Sequence, residues 1–345
     1  MTALPQLLEQ GQLLAISLQK ALVGAAESEA PNTISDYLRS CHRDDTRIYS
    51  NEIPGAQMAI YKRISEEDSP AIAGLCNQLA LVKLSIERLQ SEQFVTLPQP
   101  IQQLTRNWFG QIYADLATRD PQDYDLQQEQ GPRLDDLKRD FAVCTGRAIP
   151  AGGAWVVEKR RLVGEKLFSN SGLSSDSKAR PAGQAMYRAL KRTADNAGIL
   201  APMSSLRSHW YQLKGRYADY LVIHTADRYR RYFSEKYLDE AYRNIALLLR
   251  QDTNLQGLYR SSWFLDPKVI EIEPKLVFLS NTPVQHGALH GPLKRLEDTE
   301  LAKVLKHSNR RASAYEQGDY EPWSWAYLWL SKDLLNWAEH QAEGN

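Results

Sequence analysis

Apolar residues recur at helical spacing through the first third of the chain. The spacing predicts amphipathic helices over residues 3–28, 72–89 and 98–116, because apolar positions three and four apart line one face of a helix. Between the first two helices, an alternation of apolar and polar residues predicts a short strand over 57–64. We therefore expect a mostly helical N-terminal region.

A polar stretch separates this region from the rest of the chain. Residues 119–132 contain repeated glutamines and two prolines, a composition typical of linkers, so we expect a domain boundary there. The expected domains are 1–130, mostly helical, and 131–345, which carries the candidate site. Beyond the boundary, the sequence predicts helices over 134–143 and 184–196. Between them, residues 169–183 are rich in Ser and Gly and predict a loop.

The C-terminal domain mixes strands with helices. Residues 219–224 form an apolar run that predicts a buried strand, and 237–250 has the apolar face of a helix. Two further aromatic and apolar runs, 255–265 and 323–330, predict strands, and 334–340 predicts a last helix. The expected fold class is therefore α+β (mixed α/β), with a helical N-terminal region and an α/β C-terminal domain that contains a mixed sheet.

Composition and charge limit the functional class. The 345 residues include 42 basic and 42 acidic side chains, and this balance disfavours a protein that clamps nucleic acid or coats an anionic membrane. No apolar run approaches the roughly 18 residues typical of a membrane span, and the N-terminus lacks the features of a signal peptide. The 3 cysteines are scattered and do not form a disulfide framework. We expect a soluble, cytoplasmic protein that binds a small-molecule substrate and no membrane.

Polar residues follow two of the predicted strands, where small-molecule sites are often built. His224 ends the first strand and could act as a general base, because its reference pKa of about 6.5 is easily tuned. Ser261 and Ser262 lie in the second strand, and Asp266 follows it. These four residues are the candidate catalytic set. No Gly-x-Ser-x-Gly motif surrounds either serine, so packing beside Trp263 is the structural alternative.

Two histidines four residues apart raise a metal-binding alternative. His286 and His290 would share one face of a helix, although the neighbouring glycines and proline favour a loop. With His224 and Asp227, one of them could complete the two histidines and one carboxylate of a mononuclear iron site. A polar surface loop is the competing interpretation.

Basic and aromatic residues near the C-terminus suggest a substrate-binding site. Arg310 and Arg311 could bind a carboxylate or phosphate through their forked donors, and Trp263 and Tyr315 could line the same site. A solvated basic turn paired with a nearby glutamate is equally compatible with the sequence. Because the sequence contains no glycine-rich phosphate-binding motif, a nucleotide site is not expected.

The C-terminal region, residues 215–340, resembles an uncharacterised family of bacterial proteins. The resemblance rests on six stretches: His224-Thr225, Tyr237–Leu249, Gly257-x-x-x-Ser261-Ser262-Trp263-Phe264-x-Asp266-Pro267, Ser308-Asn309-Arg310-Arg311, Tyr315-x-x-Gly318-x-Tyr320-x-Pro322 and Trp337-Ala338. The family brings no established activity. The resemblance does imply which positions should be tested first, namely His224, Ser261, Ser262, Trp263, Asp266, Arg310 and Arg311.

The turn that begins at Tyr315 is also similar to the closing hairpin of acyl-CoA-dependent N-acyltransferases. This likeness implies an acyl-CoA substrate, which those proteins hold with a turn rich in glycine and basic residues. Here the turn after His224 reads Thr-Ala-Asp-Arg-Tyr-Arg-Arg, so it has the arginines and lacks the glycine.

Three functional hypotheses follow from these patterns. The first is a group-transfer enzyme, acyltransferase-like, with His224 as the acid–base residue and Arg310 and Arg311 holding an anionic group. The second is an iron-dependent oxygenase. The third is a non-enzymatic binding or regulatory protein that acts through its helical N-terminal domain, and an exposed apolar stripe on 72–89 or 98–116 would favour it.

Overall fold

A computed structural model describes residues 3–25, 37, 70–124, 132–162, 218–306 and 308–343 of the chain. These residues form both helices and strands, which confirms the predicted mixed α+β class. The chain divides into two compact units. The first unit comprises Met1–Glu158 and Thr225–Phe233, and the second comprises Lys159–His224 and Ser234–Asn345. The polar stretch 119–132 lies inside the first unit.

The first unit is mainly helical. Its helices are α1 (Leu4–Ala25), α2 (Pro70–Gln90), α3 (Glu92–Val95), α4 (Gln99–Leu116) and α5 (Pro132–Cys144). All except the short α3 occupy stretches that the apolar spacing predicts. In α4 the buried residues recur every three or four positions, at Ile101, Thr105, Trp108, Ile112 and Leu116, because only one face of the helix meets the core. Two strands follow, β1 (Ala148–Gly152) and β2 (Trp155–Arg161), which pair antiparallel.

The second unit alternates strands and helices. Its elements are β3 (Asp219–Thr225), α6 (Glu235–Gln251), β4 (Gly257–Ser262), α7 (Pro267–Ile272), α8 (Asn281–Gln285), β5 (Leu289–Arg295), α9 (Asp298–Lys306), α10 (Asn309–Glu316), β6 (Trp323–Leu330) and α11 (Ser331–Glu343). The strand order β3-β4-β6-β5 combines one parallel pair, β3 with β4, and two antiparallel pairs. Because parallel neighbours need a crossover connection, α6 joins β3 to β4.

The register of the strands decides which side chains share a face of this sheet. Arg260, Tyr327 and His290 lie directly opposite one another on β4, β6 and β5, so their side chains point to the same side. Helix α6 packs on that side through Tyr242, whose Oη lies 3.0 Å from Tyr327 Oη. Trp337 of α11 packs beside Tyr242. We call this side the helix-covered face. The opposite face carries a separate buried cluster that includes Tyr220, Val222, Tyr259, Leu289, Ala326 and Leu328.

Three strands differ from the sequence-based expectations. No strand was expected at β1 or β2, and the loop expected around His290 is wrong because residues 289–295 form β5. A proline is tolerated in β5 because this strand lies at the edge of the sheet and its register shifts between Pro292 and Lys294. The predicted strand over 57–64, the loop over 169–183 and the helix over 184–196 lie outside the described residues.

None of the helices in the described part of the chain combines the length and apolar character needed to cross a membrane.

Candidate active site

His290 is held by one ring nitrogen on the helix-covered face. Its Nε2 lies 2.9 Å from the carbonyl oxygen of Leu265, and its ring packs against Trp325 with the centroids 5.0 Å apart. A carbonyl oxygen can only accept a hydrogen bond, so Nε2 carries the proton of the neutral ring and Nδ1 keeps its lone pair. Among the described residues Nδ1 has no hydrogen-bond partner, and the side chain is partly exposed. Nδ1 therefore has a lone pair that no described group uses.

The environment keeps this imidazole neutral. Burial lowers the pKa of His290 to about 4, and the hydrogen bond to the Leu265 carbonyl opposes that effect only in part. A ring with this pKa is unprotonated at neutral pH, which is the form that can accept a proton.

The Leu265 carbonyl belongs to a short 3-10 turn, Trp263–Leu265, which is fixed by Asp266. The backbone N–H of Asp266 donates to the carbonyl of Trp263 at 3.2 Å. The carboxylate of Asp266 accepts from the backbone N–H of Lys268 at 2.8 Å and so caps α7. The peptide group between Leu265 and Asp266 is therefore held through both its N–H and its C=O.

Asp266 is buried, and its titration lies close to neutrality. Burial raises the pKa of this carboxyl to about 7, although backbone N–H groups of Lys268 and Trp323 stabilise the ionised form. The structure thus places the sequence-predicted catalytic Asp266 at a helix cap, directly after the carbonyl that holds His290. Its part in catalysis stays a prediction.

The two predicted catalytic serines occupy different positions at the end of β4. Ser262 caps the turn, because its Oγ accepts from the backbone N–H of Phe264 at 3.2 Å. Ser261 is exposed. Neither makes a described contact with His290.

Arg311 is buried, and two of its three guanidinium nitrogens donate hydrogen bonds within the protein. Nη1 donates to Glu273 Oε1 at 2.6 Å, and Nε donates to the Val304 carbonyl at 3.0 Å. The guanidinium also lies 4.5 Å from the ring centre of Trp263. An anionic ligand would have to compete with Glu273 for this cation. The geometry therefore supports a buried ion pair more directly than the predicted anion-binding role.

The other two predicted substrate-binding residues lie on the outside of α10. Arg310 is exposed and Tyr315 is partly exposed, and no described contact joins either residue to His290 or to Trp263. Their role in substrate binding stays a prediction.

Tyr320 adds a buried hydroxyl close to the Arg311 ion pair. Its Oη has no hydrogen-bond partner among the described residues. Burial raises the pKa of this phenol, the charge of Asp266 raises it further, and Arg311 opposes both effects. Buried hydroxyls without a hydrogen-bond partner are uncommon in folded proteins. The change in stability when this hydroxyl is removed therefore tests this part of the structure directly.

His224, the residue that the sequence favours as a base, lies on the opposite face. The parallel register places Val222 beside Tyr259, and both belong to the opposite-face cluster. Side chains two residues apart in a strand share a face, so His224 and Ser261 point to that side while His290 points to the other. Strands β4 and β6 lie between β3 and β5, which separates the backbones of His224 and His290 by roughly 14 Å.

Among the side chains that the structure describes, no complete set of ligands for the iron alternative is brought together. His224 and His290 cannot bind one ion from opposite faces of a sheet at that separation. His286 follows α8, and its ring packs near Trp337, 6.5 Å between centroids. The side chain of Asp227 lies outside the described residues. Among the side chains that are described, no three His, Cys, Asp or Glu residues are arranged to hold a metal ion.

Sequence reasoning missed several members of the site. Glu273 and Tyr320 received no role, and His290 was assigned to a loop. The available signal for β5 was the alternation of Leu289 and Leu293 with polar residues, but the intervening glycine and proline obscured it. No local signal pairs Glu273 with an arginine 38 residues later.

A second cluster of titratable side chains lies in the first unit. Arg228 Nη2 donates to Asp140 Oδ2 at 2.6 Å, and Nη1 lies 3.6 Å from Asp115. Trp108 Nε1 donates to the other oxygen of Asp140 at 2.9 Å. Burial raises the pKa of Asp140 to about 6, and the charge of Arg228 opposes this. The cluster attaches the segment Thr225–Phe233 to α4 and α5, so its contacts explain it as a structural network.

Comparisons of the chain with protein-family models, with curated proteins and with solved structures find no significant match.

Proposed function

We propose that the second unit carries the active site of a group-transfer enzyme that acts on a small molecule, with His290 as the acid–base residue. The observation that supports this is the imidazole itself, whose Nε2 is held by the Leu265 carbonyl while Nδ1 keeps a lone pair that no described group uses. General bases in enzymes commonly have this form, a neutral imidazole with one nitrogen fixed by a hydrogen bond. Acyl transfer is the reaction class that the sequence suggests.

In such a reaction, an amine of the acceptor attacks the carbonyl carbon of the acyl donor. Nδ1 of His290 then takes a proton from the attacking nitrogen. The bond between the acyl carbon and the leaving group breaks, and the leaving thiolate of an acyl-CoA donor receives the proton.

The low pKa of His290, about 4, favours amine over alcohol acceptors. A weak base cannot readily deprotonate an alcohol before attack, whereas an amine becomes strongly acidic once it has bonded to the carbonyl carbon. The protonated ring is also a strong acid, which returns its proton easily to the leaving group. This argument selects primary amines as the first acceptors to test.

A cytoplasmic location is part of the proposal. Cys76 and Cys144 are buried thiols, and a protein without structural disulfides is suited to a reducing compartment.

The test measures free thiol release from acetyl-CoA in the presence of a panel of primary amines, using the whole protein. We expect His290→Gln to lower kcat/KM by about 100-fold or more, because general acid–base catalysis contributes on that order. The glutamine amide can still donate to the Leu265 carbonyl, so the melting temperature should change little. His286→Gln is the matched control and should keep full activity. Unchanged turnover in His290→Gln would refute the proposal.

A second candidate function is protein binding through α1, which one observation favours. Leu13, Ile16 and Val23 are 63%, 54% and 71% exposed, and their spacing places them on one side of the helix. On the sequence alone, an exposed apolar stripe on 72–89 or 98–116 would favour an interaction protein. The described residues of those helices contribute no large exposed apolar side chain, and α1 carries the stripe instead.

A further inference from the structure

We infer that Asp266 is a positioning residue for His290: by capping α7 it holds the Leu265 carbonyl in the orientation that keeps His290 in its Nε2–H form. The inference rests on the proposed function, in which Nδ1 is the reacting nitrogen. Its test reads the imidazole directly and does not depend on turnover.

The first support is the way in which Asp266 links the segments on either side of it. Its N–H donates to the Trp263 carbonyl at 3.2 Å, and its own carbonyl accepts from Ile270 N at 3.2 Å. Its side chain caps α7 by accepting from Lys268 N at 2.8 Å. The backbone is extended at this residue, with φ −64° and ψ 121°. With these contacts in place, the Leu265 carbonyl has little freedom to turn away from His290.

The second support is that the same carboxyl also reaches β6. The backbone of Trp323, the first residue of that strand, stabilises the ionised form of the same carboxyl. Two residues later, Trp325 packs against the His290 ring. One buried side chain therefore adjoins both segments that supply contacts to the imidazole, the turn that ends at Leu265 and the start of β6.

The third support is chemical. A helix cap requires only a hydrogen-bond acceptor, and Ser, Thr or Asn serve as well as Asp on a solvated helix. Asp266 is 4% exposed, and burying a carboxyl is costly unless its oxygens have partners. Ser, with one hydroxyl oxygen, could accept from Lys268 but could not also reach Trp323. Only a carboxylate presents two acceptor oxygens to the two neighbouring backbone segments, whereas an amide presents one.

The experiment is NMR of ¹⁵N-labelled histidine side chains in the whole protein, with the His290 signal assigned from the spectrum of His290→Gln. We expect the wild-type ring to be the Nε2–H tautomer at neutral pH. Asp266→Ala should convert it to a mixture in which the Nε2–H share falls several-fold. Asp266→Asn keeps the shape of the side chain and one acceptor oxygen for Lys268, so the Nε2–H share should stay closer to the wild-type value than in Asp266→Ala.

Ser308→Ala is the matched control. Ser308 Oγ accepts from Arg311 N at 3.3 Å and caps α10 in the same unit. Its loss should lower the melting temperature as Asp266→Ala does but leave the His290 spectrum unchanged. If Asp266→Ala does not fold, Asp266→Ser keeps the cap, loses the Trp323 contact, and should show a smaller shift of the same kind.

Two results would overturn the inference. One is a wild-type His290 in the Nδ1–H form, and the other is a wild-type spectrum in both Asp266→Ala and Asp266→Ser. Absence of acyl transfer in the wild-type protein, with the tautomer shifts as expected, would instead refute the proposed function and leave the positioning role standing.

Discussion

Two buried tyrosine hydroxyls near the candidate site differ in their partners. Tyr327 Oη lies 3.0 Å from Tyr242 Oη, whereas Tyr320 Oη has no partner among the described residues. Removing an unsatisfied buried hydroxyl sacrifices no hydrogen bond. Tyr320→Phe is therefore expected to leave the free energy of unfolding unchanged or to raise it by up to about 1 kcal/mol. Tyr327→Phe should lower it by about 1 kcal/mol.

Urea denaturation of the two variants beside the wild-type protein provides the measurement. Equal losses in both would mean that the Tyr320 hydroxyl is satisfied after all, for example by an ordered water.

The pKa of Asp140 predicts a specific pH dependence. Burial raises it from 3.8 to about 6, so the folded protein holds this proton more tightly than the unfolded chain does. Below pH 3.8, Asp140 is protonated in both the folded and the unfolded state, and the stabilisation that comes from its tighter proton binding in the folded state is fully present. It is lost as the pH rises through the folded pKa. Stability relative to Asp140→Asn should therefore fall by on the order of 2–3 kcal/mol between pH 4 and pH 6.5.

Denaturation curves across this pH range measure the difference. Asp252→Asn is the control of opposite sign, because its hydrogen bond with Lys159 lowers the pKa of Asp252. The stabilising effect of the Lys159–Asp252 pair is present at neutral pH and is lost as the pH falls. The change in stability should be small because the pair is largely exposed. If the difference in the free energy of unfolding between the wild-type protein and Asp140→Asn did not change with pH, the raised pKa of Asp140 would be contradicted.

At the scale of elements, Gly257 determines how closely β4 and β6 approach. Its φ is +152°, and an added Cβ would lie 2.1 Å from the carbonyl oxygen of Trp329 on β6. Gly257→Ala should therefore destabilise the protein by more than about 3 kcal/mol, because backbone strain and a clash with backbone act together. Chemical denaturation or loss of soluble expression would report it.

Gly318 is the matched control for that substitution. Its φ is +76°, but an added Cβ would meet nothing within 4 Å, so Gly318→Ala should cost only about 1 kcal/mol. Similar losses of stability in Gly257→Ala and Gly318→Ala would show that the positive φ alone, and not the close approach of β6, explains why glycine is needed at position 257.

The elements that the sequence predicts well are those with long, uninterrupted patterns. β6 (Trp323–Leu330) and α6 (Glu235–Gln251) match their predicted ranges closely, because an unbroken aromatic run and a clean apolar stripe each fit one kind of element. β5 was missed because glycine and proline normally end strands. Its position at the sheet edge, where a missing N–H does no harm, is set by strand order and is not visible locally.

At the scale of the whole molecule, the exposed side chains of α1 predict association. Replacing Leu13, Ile16 and Val23 by glutamine should change the free energy of unfolding little, because surface substitutions are usually within about 0.5 kcal/mol each. Light scattering at high concentration should then show less self-association than in the wild-type protein. Identical monomers at every concentration would remove self-association as the role of this stripe. Gln12, Ser17 and Lys20 are exposed positions of α1 suited to a matched polar control.

The candidate site is where sequence reasoning was least complete. The candidate residues Trp263, Asp266 and Arg311 do lie in one region, through the contact of Arg311 with Trp263. His224 lies on the other face of the sheet, and His290 is the histidine with one ring nitrogen fixed by a backbone carbonyl. Face and strand order follow from pairing between segments far apart in the chain, and a register change of one residue would reverse every side chain.

The sequence by itself determined the fold class, most of the long helices and three of the four strands of the second unit, because periodicity and breakers are local properties of the chain. It also determined the neutral charge balance. Only the tertiary structure decided that Arg311 is paired with Glu273 and that the Leu265 carbonyl holds His290. It also decided that His224 lies on the other face of the sheet from His290. Those relations depend on which distant segments pack together, and burial then sets the protonation of the groups they enclose.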